Sequence, residues 1–144
     1  MANEARRGAG LAALLVVLCG CGPELDDEAR ILRTIDAMTE AVEQGDVADF
    51  MAPVADDFVA VNGRLDRRAL GLLVRRERLA RDSVRVRRVD TEVELVGQSR
   101  AVASFRALAT GGSGLLPDEG RFWRVETGWR RDGDEWKLIS AAWE

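Results

Sequence analysis

The chain has 144 residues, enough for one domain with a sizeable core once any leader is set aside. Its formal charge of −4, with acidic and basic side chains interspersed, does not suggest a nucleic-acid binder. It contains no histidine, which removes the commonest general base and metal ligand.

The first twenty residues have the form of a secretory leader. Arg6 and Arg7 supply the positive end, and Gly8 to Leu18 supply an apolar run. That run is about half of the ~20 residues a helix needs to cross a bilayer, so it reads as a leader rather than a span. Leu18-Cys19-Gly20-Cys21 follows and resembles the bacterial lipobox, with a leucine three residues before the cysteine and a small residue just before it. Cys21 fits the lipidated position and Cys19 does not, because Leu18 precedes it. The resemblance implies a diacylglyceryl thioether plus an N-acyl chain on Cys21, more than the two-signal minimum for stable attachment. Gly22, rather than aspartate, after the cysteine resembles the outer-membrane sorting choice. The expected organisation is a leader over 1–20, a lipidated cysteine with a tether over 21–24, and one domain over 25–144, facing the periplasm. A lipidated Cys21 also removes disulfide and thiol chemistry from the mature protein.

Leu25, Leu32, Ile35, Met38 and Val42 recur at helical spacing, with Ala29 and Ala41 in the same stripe, and predict an amphipathic helix ending at Gly45. Asp46 is placed to cap a short second helix through Phe50 and Met51, stopped near Pro53. Phe58 to Val61 is a short strand candidate closed by Asn62-Gly63, with Asp56 and Asp57 as turn or cap residues. Asp66 then caps a third helix running to about Arg81, with Leu65 packing back on Leu70 as a hydrophobic staple. Its outward arginines read as a solvated face.

From Ser83 the pattern is strand. Val84 and Val86 are in one phase and Val89, Thr91, Val93 and Leu95 in the other, which predicts a bulge near Arg87-Arg88. Ala101, Ala103, Phe105, Ala107 and Ala109 share one face of the next strand. Gly111 to Gly114 open a loop to Gly120, from which Leu115-Leu116 could fold as a lid. Phe122 to Glu144 reads as a hairpin turning at Asp132-Gly133-Asp134, and it carries all four tryptophans. Strands this long exceed the usual ~5–6 residues and must curl, most cheaply at the bulge and at Gly128. A curled sheet over helices, with alanines along one strand, predicts a hollow.

Helix, helix, short strand, helix and four long strands ending in a Trp-rich hairpin resembles the NTF2-like superfamily, or cystatin-like cone, including SnoaL-like proteins. The most specific residues are Arg124-Val125-Glu126-Thr127-Gly128-Trp129-Arg130-Arg131-Asp132-Gly133, then Trp136-Lys137-Leu138 and Ala142-Trp143-Glu144, which resemble a proteobacterial branch of lipoproteins of this fold. The fold class implied is α+β, with three N-terminal helices packed on a strongly curved antiparallel sheet. That fold hosts enzymes, scaffolds and binding modules, so chemistry must come from the site.

Three functions follow as expectations. The first is a cone that binds a small apolar ligand or protein segment without catalysis, lined by Phe58, Phe105, Trp123, Val125 and Trp143. The second is a SnoaL-like isomerase or dehydratase using Glu126 or Asp57 as a buried carboxylate base; with no tyrosine in the chain, a carboxylate–phenol pair is unavailable to it. For Glu126 the bland alternative is a place on the Arg124 face, paired across strands with Arg106 or a neighbour. The third is a homodimer formed through the outer face bearing Arg106, Arg124, Glu126 and Arg130. No metal and no cofactor is assigned: Gly111 to Gly114 lacks the lysine of a phosphate loop, and Asp132-Gly133-Asp134-Glu135 lacks calcium-loop spacing.

Overall fold

The computed structural model describes residues 26–60, 63–112 and 121–144. The leader, Cys21, Leu25, Asn62 and the Leu115-Leu116 segment lie outside the described residues.

Helix α1 spans Asp27–Gln44, with the Asp26 carboxylate accepting the Ala29 N–H at its start and Gly45, at φ 82°, closing its end. Ile31, Ile35, Met38 and Ala41 are its buried residues. The stripe thus runs through Ile31 where the spacing had favoured Leu32, which is half-buried. Helix α2 (Val47–Met51) is capped by Asp46, and α3 (Arg67–Leu79) by Asp66. Leu70 of α3 is buried, and Leu65 is packed against the same core.

The strands are β1 (Val54–Ala60), β2 (Leu65–Asp66), β3 (Ser83–Val96), β4 (Arg100–Gly112), β5 (Arg121–Asp132) and β6 (Glu135–Trp143). They form one sheet in the order β2-β1-β6-β5-β4-β3. Its long strands are antiparallel, but β1 runs parallel to β6, pairing Val59 with Ser140 and Ala60 with Ala141. Asp56 and Asp57 therefore lie in a strand rather than a turn.

The sheet curls where its registers slip. One slip lies in β3 between Val89 and Glu92, where Asp90 adopts a left-handed φ of 53°. A second lies between β5 and β6 beside Gly128, where Ile139 is the extra residue, and a third between β1 and β6, between Val54 and Val59. The hairpin between β5 and β6 turns through Gly133, at φ 61°. Asp27 ties that hairpin to α1: its carboxylate accepts the Trp136 indole N–H and an Arg131 N–H, both at 3.1 Å. At the other end of α1, Glu43 accepts the backbone N–H of Val86 at 2.7 Å, which covers part of the edge strand β3.

The core lies between the three helices and the concave face of the sheet. Trp129, Phe58 and Ile31 are its largest fully buried side chains. The row of small residues on β4 matches bulk on β5, with Ala101 opposite Trp129 and Ala107 opposite Trp123.

Candidate functional site

A cavity of about 250 Å³ lies between the helices and the concave sheet face. Ile35, Met38, Thr39 and Val42 of α1 form one wall, with Phe50 of α2 and Leu70 of α3 beside them. The opposite wall comes from the sheet: Phe58, Val86, Phe105, Val125, Thr127, Trp129, Leu138, Ala141 and Trp143. Of the five residues assigned from the sequence, Phe58, Phe105, Val125 and Trp143 stand on this lining. Trp123 shares their face of β5 but sits beyond the cavity, opposite Ala107 near the start of the strand.

The lining is apolar almost throughout. Its two hydroxyls are already engaged: Thr39 donates to the Ile35 carbonyl at 2.9 Å, and Thr127 donates to the Ala103 carbonyl at 3.0 Å. Thr127 also accepts the Trp129 indole N–H at 2.9 Å, so that indole needs nothing from a ligand. Among the described residues, no acidic or thiol side chain lines the cavity.

Arg88 stands at its edge. Arg88 and Val86 lie two residues apart on the concave side of β3, and the guanidinium carbon lies 5.7 Å from the centre of the Phe105 ring. Nη2 pairs with Asp36 of α1, while Nη1 is buried with no hydrogen-bond partner among the described residues. The sequence reading places the β3 bulge at Arg87-Arg88 and so gives Arg88 no inward role.

Both candidate bases are outside the cavity. Glu126 is exposed on the convex face, between Ser104 and Ala142, and it is not opposite Arg106. Asp57 is also on the convex face, where Arg130 grips it through both terminal nitrogens at 2.7 and 2.9 Å. The Arg130 hydrogen bonds hold the Asp57 carboxyl below the usual carboxylate range, the opposite of what a general base in an apolar pocket requires. Of the other charges assigned to that face, Arg106 pairs with Asp90 and Arg124 with Glu144.

Two other depressions are larger and more open to solvent. One of about 760 Å³ runs between α1 and the β5–β6 turn, past Arg30, Glu40, Pro53 and Trp136. One of about 620 Å³ lies by Arg75, Arg78 and Gly45. Among the described residues no group of three or more His, Cys, Asp or Glu side chains is placed to hold a metal ion. No described helix is long and apolar enough to cross a membrane.

An open, curled sheet closing over three helices around an apolar hollow is a shape with known counterparts. A protein of unknown function from Pseudomonas putida KT2440, described as NTF2-like, superposes with a TM-score of 0.67 at 23% identity, over 84% of this chain and 89% of that one. The fold is the NTF2-like cone. A candidate dehydratase of the NTF2-like family from Streptomyces avermitilis superposes with a TM-score of 0.68 at 19% identity, over 80% of this chain and 92% of that one. Bd1075 from Bdellovibrio bacteriovorus gives a TM-score of 0.67 at 11% identity, and there the cone corresponds to only 38% of the longer protein. No protein-family model and no curated protein matches the chain. At these identities the likeness concerns the cone's architecture, and the activity must be argued from its own residues.

Proposed function

We propose that the chain is a lipoprotein, anchored in the outer membrane through Cys21 and facing the periplasm, whose NTF2-like cone binds a small apolar molecule without catalysing its conversion. The observation that carries the binding reading is the apolar cavity of about 250 Å³. Ligand pockets are commonly about 300–1,000 Å³, so the occupant is smaller than a typical drug-sized molecule. A dry apolar cavity of about 150 Å³ accepts benzene, so a single substituted ring fits. The anchoring reading rests on the leader and on Leu18-Cys19-Gly20-Cys21.

A dehydratase reading, by analogy with the Streptomyces neighbour, finds less support. The described lining offers no proton-transfer group, and the two carboxylates nominated for the task stand on the far side of the sheet.

Thermal unfolding of the full chain with increasing toluene tests the binding reading. A ligand that binds only the folded state raises Tm as its concentration passes Kd. A saturable rise is expected, and an unchanged Tm up to the solubility limit of toluene overturns it. Intact mass of protein from the membrane fraction tests the anchor. A diacylglyceryl and N-acyl adduct that disappears in Cys21→Ser is expected, and an unmodified membrane-extracted chain overturns it.

A further inference from the structure

We infer that the cavity's ligand is an amphipathic anion, a small apolar body bearing a carboxylate that Arg88 recognises. This deepens the apolar-binding reading and rests on it. The guanidinium carries five N–H donors and no acceptor, and a buried arginine normally finds partners for them. Here the side chain is only 15% exposed, one terminal nitrogen pairs with Asp36, and the other is buried without a partner among the described residues. Its position excludes a purely surface role. The cation lies against the ring of Phe105, and both Phe105 and Val86, its neighbour on the strand face, line the cavity.

The Asp36 contact is displaceable on physical grounds. Its side chain is 67% exposed and engages one nitrogen only, whereas a carboxylate meeting both terminal nitrogens makes the stronger two-bond fork. Nη1 is covered in the present arrangement, so engagement requires the guanidinium to turn from the Phe105 face as Asp36 is released. The rest of the cavity wall then holds the apolar body, because both lining hydroxyls are bonded within the protein. A neutral apolar molecule would leave the buried N–H of Arg88 as it is, and an anion would satisfy it.

Calorimetric titration of the full chain with phenylacetate and 2-phenylethanol, a matched pair that is charged and neutral at pH 7, tests this. The acid is expected to bind at least tenfold more tightly than the alcohol. Arg88→Met should abolish that preference, so that the acid binds no more tightly than the alcohol. Asp36→Asn, an exposed substitution, should strengthen acid binding and leave alcohol binding alone, which keeps the test sharp if Arg88→Met folds poorly. Equal affinities in the unmodified chain, or a preference that survives Arg88→Met, overturns the role of Arg88 while the apolar cavity reading stands. Binding of neither probe overturns both.

Discussion

The indole N–H of Trp129 donates to the hydroxyl of Thr127 at 2.9 Å, and that hydroxyl donates onward to the Ala103 carbonyl at 3.0 Å. This short relay crosses from β5 to β4 under the cavity floor, at a tryptophan only 1% exposed. It solves the problem a buried indole creates, a large apolar body with one donor that must be satisfied. Thr127→Val keeps the shape and removes the acceptor, so the N–H is left buried and unpaired. The expected cost is about 1–3 kcal/mol, read as a lower urea midpoint with an unchanged m-value. Thr127→Ser, which retains the hydroxyl, should lose much less.

Asp57 and Arg130 tie β1 to β5 across β6 on the convex face. Because the Arg130 hydrogen bonds lower the Asp57 pKa in the folded state, the unfolded chain takes up the proton first as pH falls. The stabilisation is therefore complete above the ordinary carboxylate pKa of about 4 and is lost as pH falls through the lower, folded value. Asp57→Asn should remove that component from the acid limb of the stability profile and leave the profile near pH 7 flat. An NMR titration of the Asp57 side-chain carbon should give a midpoint below the ordinary carboxylate value, and a midpoint above it would revive this residue as a base.

Much of the fold is legible in the sequence because local chemistry and global packing agree. Asp26 and Asp66 cap, Gly45 stops α1, Gly133 turns the hairpin, and Trp123 and Trp129 share one period-two phase of β5. What escapes is what only tertiary partners decide. The phase slip in β3 looks like Arg87-Arg88 from hydrophobicity, yet the kink is at Asp90, because Arg88 occupies an inward position that a purely apolar pattern cannot register. The parallel pairing of β1 with β6 joins segments some eighty residues apart, and nothing local to either specifies it. Asp57 reads as a turn residue in the sequence because its partner, Arg130, lies in a distant strand. Trp123 shares the strand face of the cavity residues, but a strand face does not say how far along the strand the hollow extends.

Asp27 makes α1 and the C-terminal hairpin a single unit, with Trp136 and Arg131 sharing its two oxygens. Trp136 is 4% exposed, so Asp27→Ala leaves its N–H without an acceptor and is expected to cost about 1–3 kcal/mol. Asp27→Asn keeps an acceptor oxygen for the indole and should recover part of that. Equal midpoints for Asp27→Ala and the unmodified chain would show that water replaces the carboxylate.

Ala141 lies on the cavity wall at the centre of the sheet, between Ala60 of β1 and Thr127 of β5. Adding methylenes to a close-packed core typically costs about 1–3 kcal/mol, because neighbours are forced off their rotamers. At the edge of a hollow the same atoms gain contacts and fill space that otherwise holds none. Ala141→Leu should therefore leave the urea midpoint unchanged or raise it, and should abolish the toluene-induced rise in Tm. A large loss of stability would mean that the side chains of Phe105, Trp143 and their neighbours close the space in solution. The hollow, and with it any small-molecule ligand, would then be lost, while the relay through Thr127 and the clamp at Asp27 would remain.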